Sequence, residues 1–532
     1  MLGGELFFHF MNVMLMTLLV APLILWRYRR AVLAGMQARD GEALPLTPAV
    51  TSAVVGAPVT DTSPETALAW EARVRRRVFA GVLGAIALPS LLLAAQYLAI
   101  GRQPLTPAHL FMSGGVTCSM AVPIFAVLTA TPFWRALRLW IVTLFALAAT
   151  GVLLSMLQRP FYGKAPTLDQ AMNFVFFFQY AAYTLWLPML LGLAIGARRV
   201  RGVAPLAFAG LLVFAIAPLL GLHLTQWLAG MPWAENWVLA GPGLDAGFVV
   251  LALPVGLMAW WRLKALARGY EAKRFSDAQL LAHSWWLMFV ATRAVELVSV
   301  YPGTAPLLQI LGVSAVGYWL FPALLAQALR WAYGGAARPA PRTLLLLRVF
   351  GDTARTESLF DRIASRWQLF GPVTMIAAPD VVARTVDPGD VLRFAAGNIA
   401  AGFVKSQDDL TRRLASMDNE PDRDGRYRAN EFCCRDDTWQ ATVVELIDRA
   451  DAVVMDLRGF TAQRHGCEFE LRELGVRLSP GRVVLVVDAS TDRALLEQVA
   501  PAGQAGMRVM EVQRGNSRQT DSAFAALLGA AS

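Results

Sequence analysis

Residues 343–350 read TLLLLRVF and run directly into Gly351. An apolar run without polar alternation, closed by a turn residue, suits a strand buried on both faces of a parallel sheet. Working outward, similar runs recur at Val373–Ala378, Ala452–Leu457 (AVVMDL), Val483–Val487 (VVLVV) and Met507–Val512. Helical patterns separate them, at about 356–369, 406–417, 438–449, 464–477, 492–499 and 522–528. The stretch 388–431 is less regular, and its charged run Asp418–Arg428 reads as an exposed insertion. Alternating strands and helices predict a mostly parallel sheet with helices on both faces. In such sheets ligands bind beyond the carboxyl ends of the strands.

Upstream of this region the text changes. Residues 1–339 carry 24 Lys/Arg and 12 Asp/Glu, whereas residues 340–532 carry 24 and 27. The formal charge of +9 therefore comes from the first part, where basic residues lie between apolar runs, and it does not argue for a nucleic-acid partner. Nine runs approach the roughly 20 helical residues needed to cross a bilayer core. They lie at about 6–26, 78–100, 110–131, 139–157, 171–196, 203–222, 246–266, 280–300 and 307–333. The Trp-rich stretch 220–241 could instead be interfacial or re-entrant. Every second loop is basic: Arg27, Arg29, Arg30 and Arg73–Arg77, then Arg135 and Arg138, then Arg198, Arg199 and Arg201, then Arg262–Arg274. By the positive-inside rule this puts the N-terminus outside and the last domain in the cytoplasm, at an inner (plasma) membrane. The expected organisation is a transmembrane domain over 1–333, a linker over 334–342 stiffened by Pro339 and Pro341, and a cytosolic α/β domain over 343–532. The N-terminus lacks a cleavable signal pattern, the loop 40–66 reads as flexible, and the bilayer is the expected partner. Four cysteines, three of them in the polar part, suit a reducing compartment.

Within the apolar part, Arg293 and Glu296 share a helical face and His283 lies nearby. Ionisable groups in a span are functional candidates. A local structural ion pair is the plainer reading, and His9 reads as a packed polar residue. No internal repeat of the kind seen in many transporters is visible.

The strand ends hold the remaining chemistry. The first leads to Gly351-Asp352-Thr353-Ala354-Arg355, which is neither a Walker A loop nor GxGxxG. The strand AVVMDL ends at Asp456-Leu457-Arg458, and His465-Gly466-Cys467-Glu468-Phe469-Glu470-Leu471 opens the next helix. Cys433, Cys434, His465 and Cys467 do not have zinc-site spacing, so no metal is expected. Glu468, Glu470 and Glu473 also suit a solvated first turn favoured by the helix dipole.

The succession ADAVVMDL, short loop, GCEFEL resembles the nucleoside 2-deoxyribosyltransferase pattern, a strand ending in Asp followed by G-T-x-x-E-L/I. It also resembles the C-x-x-E-L of Toll/interleukin-1 receptor (TIR) domains, here Cys467-x-x-Glu470-Leu471. The likeness is good over 449–488 and loose over 345–515. Cys467 stands where the transferases have Thr, His465-Gly466 replaces the TIR Ser-Trp pair, and the first strand lacks the TIR text. The resemblance implies a flavodoxin-like sheet and a Glu beside the ribose of a nucleoside or of NAD. On that basis Glu470 is the candidate catalytic carboxylate, with Asp456 positioning a ribose hydroxyl or Arg458. Gly351, Asp352, Arg355, Arg458 and Gly466 are the candidate ligand contacts. The implied protein is a membrane-anchored signalling or defence-type molecule whose cytosolic domain binds NAD or a related nucleotide and hydrolyses its N-glycosidic bond. Two alternatives stay open: a non-catalytic nucleotide-sensing or protein-docking module, and a transporter with a regulatory domain. Assembly into a homo-oligomer through the cytosolic domain is a further expectation.

Overall fold

The computed structural model describes residues 26–36, 44–48, 64–102, 105–157, 264–301, 304–334, 338–348, 363–377, 403–499, 506–512 and 524–529, apart from isolated positions, together with Leu23, Leu257 and Trp261. The chain divides into two compact units. The first comprises Met1–Leu25, Arg77–Ala332 and Asp387–Ala396; the second comprises Trp26–Arg76, Tyr333–Val386 and Gly397–Ser532.

Helices α1 (Pro64–Ile100), α2 (Pro107–Cys118), α3 (Ala121–Leu128), α4 (Phe133–Leu157), α5 (Asp277–Val300) and α6 (Thr304–Tyr333) precede the sheet in the chain. Within the first unit, α1 and α6 approach closely at a small residue: a Cβ on Gly81 would stand 3.0 Å from that of Ala328. Small residues at a crossing permit such backbone proximity between apolar helices. The same crossing is polar where it needs to be, since the Gln96 amide donates to the Ile310 carbonyl at 3.2 Å. Trp286 Nε1 donates to the Gly317 carbonyl at 3.1 Å, and its ring lies 5.0 Å from that of Phe321. Thr143, Thr150 and Ser284 return their hydroxyls to the carbonyl four residues earlier, and Thr129 does the same while also meeting Thr131 Oγ1 at 2.8 Å.

Among the described residues, Pro64–Ile100 and Leu308–Tyr333 are the two helices long and apolar enough to cross a membrane. The runs 78–100, 139–157, 280–300 and 307–333 fall in α1, α4, α5 and α6, whereas 110–131 is divided between α2 and α3. The runs 6–26, 171–196, 203–222 and 246–266, and the stretch 220–241, lie outside the described residues save for isolated positions. The described residues therefore show two candidate spans rather than nine. Arg293 stacks over the rings of Tyr97 (5.4 Å) and Phe289 (5.7 Å), while the side chain of Glu296 and all of His9 lie outside the described residues. His283 packs edge-on against Phe321.

The second unit is built on a seven-stranded parallel sheet: β1 (Leu344–Arg348), β2 (Val373–Ala377), β3 (Phe403–Val404), β4 (Ala429–Cys434), β5 (Ala452–Asp456), β6 (Val483–Val487) and β7 (Arg508–Glu511). Their spatial order is β3-β4-β2-β1-β5-β6-β7, with every pairing parallel. Leaving aside β3 and β4, the order β2-β1-β5-β6-β7 is the flavodoxin-like 2-1-3-4-5, whose direction reverses between β1 and β5. Helices α7 (Gln407–Ala415), α8 (Trp439–Arg449), α9 (His465–Arg477) and α10 (Arg493–Val499) follow β3, β4, β5 and β6. One sheet face, carrying Leu345, Leu347, Val453, Met455, Leu485 and Phe432, forms a single core with Leu410, Val443, Ile447, Leu471 and Leu474 of α7, α8 and α9. Side chains alternate along a strand, so Arg348 and its register partner Asp456 belong to the opposite face.

Strands β3 and β4 were not expected from the sequence. ANEFCC alternates half-buried and buried residues, so it lacks the continuous apolar text of the central strands.

Trp26–Arg76, in sequence a loop of the apolar part, belongs to this second unit. Trp70 lies 5.4 Å from Phe370, and the buried Glu71 accepts a bidentate pair from Arg366 at 3.1 and 2.7 Å. Arg366 also stands 4.0 Å over the Phe524 ring. Most of the stretch 40–66 lies outside the described residues. The run Asp418–Arg428 is not an exposed insertion: Asp422, Asp424 and Arg426 are buried. Arg426 donates to the Ser365 carbonyl and to Gln368, and Arg428 holds Asp422 at 2.8 Å. Gly425 makes the turn at φ +75°, and a Cβ there would stand 2.5 Å from the Tyr333 ring. The linker joins the same packing through Arg338, which donates to the Leu369 and Gly425 carbonyls and lies over Tyr427.

Candidate functional site

The reversal between β1 and β5 brings two chain ends side by side: Arg348 closes β1 opposite Asp456, which closes β5. Asp456 is 1% exposed, and a carboxylate so enclosed requires donors. Arg458 supplies three. Its backbone N–H reaches Oδ1 at 3.1 Å, Nε reaches Oδ1 at 2.8 Å, and Nη2 reaches Oδ2 at 2.7 Å. Both oxygens are thus engaged by one guanidinium two residues on. Of the two roles foreseen for Asp456, holding Arg458 is the one the hydrogen bonds display. The chain turns immediately afterwards at Gly459, whose φ of +75° suits glycine.

The loop beyond β5 is tied to the loop beyond β6. Leu457 N–H donates to the Val486 carbonyl, Thr491 Oγ1 donates to the Leu457 carbonyl at 2.9 Å, and Gly459 N–H donates to Ser490 Oγ at 3.0 Å. Asp488 in turn accepts from the Ser490 backbone N–H. Ser490 and Thr491 were not among the expected site residues. Their signal was the polar cluster Asp488-Ala489-Ser490-Thr491-Asp492 after a buried strand, which marks a loop but not its partner.

Helix α9 then runs back beneath the sheet. Its first turn is solvated: His465 is exposed, and Glu468 meets Arg472 at 3.4 Å. Glu473 pairs with Arg477 at 2.6 Å. Both glutamates are charge-paired, and Glu468, in the first turn, is also favoured by the helix dipole. Glu470 differs. It lies on the inner face with Cys467, Leu471 and Leu474, is 2% exposed, and its Oε2 has no hydrogen-bond partner among the described residues. Burial pushes its carboxyl up from 4.5 to about 8, the direction expected for a desolvated acid without a compensating cation.

Cys467, one turn earlier, directs Sγ toward the Arg348 carbonyl at 3.9 Å. This contact fixes where α9 crosses: at the carboxyl end of β1, on the face opposite Asp456. Asp456 and Glu470 consequently flank the β1/β5 ends from opposite sides of the sheet, with no hydrogen bond between them. At Gly466 an added Cβ would meet only Trp439, at an ordinary 3.6 Å, so packing alone does not demand glycine there. Gly351, Asp352 and Arg355 lie outside the described residues.

The cysteines are all outside disulfides. Burial raises the Cys434 thiol to about 12, which makes it a packing group rather than a nucleophile. Among the described residues, no three His, Cys, Asp or Glu side chains are placed to hold a metal ion. Compared with protein-family models, curated proteins and solved structures, the chain matches none.

Proposed function

We propose that this chain is a multi-pass inner-membrane protein, N-terminus outside, whose α/β unit lies in the cytoplasm and binds NAD or a related nucleotide across the carboxyl ends of β1 and β5. The alternation of basic and neutral loops supports the orientation, and among the described residues two helices are long and apolar enough to cross a membrane. The observation that carries the site is Glu470, a buried carboxyl whose Oε2 has no partner among the described residues and whose pKa burial raises to about 8, one helix turn below the strand ends. Such groups are concentrated at functional sites.

The chemistry is hydrolysis of the nicotinamide N-glycosidic bond. The C1′–N bond breaks with its electron pair passing to nicotinamide, water oxygen bonds to C1′, and one proton is released. Glu470 in its carboxylate form stabilises the cationic ribosyl centre, as carboxylates do in glycoside hydrolysis. A cationic ligand nearby also favours that ionised form. Arg458, fixed by Asp456, presents a guanidinium suited to a phosphate.

The test is nicotinamide release from NAD by the full chain in lipid nanodiscs. Wild type should release it, with kcat/KM rising with pH and levelling above about 8, since that parameter follows the free enzyme's ionisation. Glu470→Gln should abolish release, whereas Asp456→Asn should chiefly raise KM. Undiminished release by Glu470→Gln would remove Glu470 from the site. The near-complete burial of Glu470 favours one other reading, a nucleotide sensor without turnover; saturable NAD binding with no nicotinamide produced would select it.

A further inference from the structure

Leu44–Pro48, Leu-Pro-Leu-Thr-Pro, lies along α8 and α9 within the second unit although nearly 400 residues separate them in the chain. Its contacts alternate. Leu44 N–H donates to the Asp437 carbonyl at 3.3 Å, and the Leu44 side chain packs on the main core of the sheet. Thr47 Oγ1 donates to Glu445 Oε1 of α8 at 2.7 Å. Arg477 Nη2 of α9 donates to the Thr47 carbonyl at 2.6 Å. Arg477 is also held by Glu473 of α9 and Asp448 of α8, and with the segment in place its side chain is 4% exposed. Pro45, Leu46 and Pro48, between and beyond the contacts, face outward.

Two prolines three residues apart lack backbone donors and favour an extended conformation with little entropy to lose on docking. Here the prolines stay outside and stiffen the segment, while the surface takes the side chains and the carbonyl between them. The contacts are one apolar anchor on the core, one hydroxyl met by Glu445 of α8 and one carbonyl met by Arg477 of α9. A passive loop crossing would not need a buried arginine fixed on both helices and aimed at a single carbonyl.

We propose that the α8–α9 surface is a peptide-recognition groove for an extended Leu-Pro-x-Thr-Pro segment. Its occupant is this chain's own Leu44–Pro48, a strap that clamps the helix carrying Glu470. The strap is independent of whether Glu470 is catalytic.

Two measurements on the full chain in detergent test this. In the first, Thr47→Cys with Glu445→Cys should form an intrachain disulfide on oxidation, absent from either single variant. A disulfide between chains would assign the groove to a second copy and overturn the cis strap. In the second, hydrogen exchange is followed at the amides of Glu468–Leu478. Leu44→Asp should speed exchange there about tenfold or more while leaving β5 and β6 unchanged, as expected when a local clamp opens. Leu46→Ala, at an outward position, should have no effect. A synthetic peptide of sequence 41–50 at about 1 mM, near the effective concentration of a tethered segment, should restore protection to Leu44→Asp. A scrambled peptide should not. Unchanged exchange in Leu44→Asp, or no rescue by the native peptide, would overturn the groove.

Discussion

Glu71 and Glu470 are both almost fully enclosed in the second unit, and they are enclosed differently. Glu71 accepts two hydrogen bonds from Arg366 and lies 3.3 Å from Arg75. Its surroundings continue in the same manner, with Arg426 and Arg428 serving Gln368 and Asp422. Glu470 has apolar neighbours on its helix face and, among the described residues, no such cation. The first arrangement fixes a packing: removing one partner would expose the cost of burying the other charge. The second stabilises nothing by itself, because an unpaired buried carboxyl costs free energy. The difference separates acids that hold the fold from one whose position the fold tolerates, which is where a function is to be sought.

The largest expected effect tests the paired side. Arg366→Ala removes both hydrogen bonds to Glu71, leaving it Arg75 alone, and also the guanidinium over Phe524; it should cost about 3 kcal/mol, read from urea unfolding of the full chain in detergent. A loss under about 1 kcal/mol would erase the contrast. Next comes the pH dependence of the unpaired side. Below about 4.5 Glu470 is protonated whether folded or unfolded; between 4.5 and about 8 only the unfolded chain releases the proton, so stability falls as pH rises through that window. Glu470→Gln should remove that decline, worth on the order of a few kcal/mol, and its Tm should exceed that of wild type most clearly near the upper end. A wild-type Tm advantage there would show that Glu470 is charged and paired after all. The smallest effect belongs to an exposed pair: Arg412, 74% exposed beside Asp409, should lose about 0.5 kcal/mol or less on substitution by Ala. A larger loss would mean that surface pairs also carry this unit.

Much of the α/β unit is legible from text. The runs at 343–350, 373–378, 452–457, 483–487 and 507–512 became β1, β2, β5, β6 and β7, because a strand covered on both faces must be apolar throughout. Helices α7 to α10 followed their amphipathic patterns for the same local reason. The short edge strand β3 and its half-exposed neighbour β4 escaped notice, since half-buried strands keep polar residues. The site was legible in part. The text singled out Asp456, Arg458 and Glu470. It could not tell that Asp456 is consumed by Arg458, nor that of three adjacent glutamates only Glu470 turns inward.

The sequence by itself determined the contrast in charge and apolarity between its two parts, the class of its α/β unit and the local elements, since these depend on side-chain polarity and near-neighbour periodicity. Tertiary structure alone decided the strand order, the burial of Asp422, Asp424 and Arg426, the inclusion of Trp26–Arg76 in the α/β unit and the strap of Leu44–Pro48 on α8 and α9. Those features rest on pairings across tens to hundreds of residues. No local pattern encodes such pairings, and they form only when the entropy of closing long loops is offset by the contacts made at their ends.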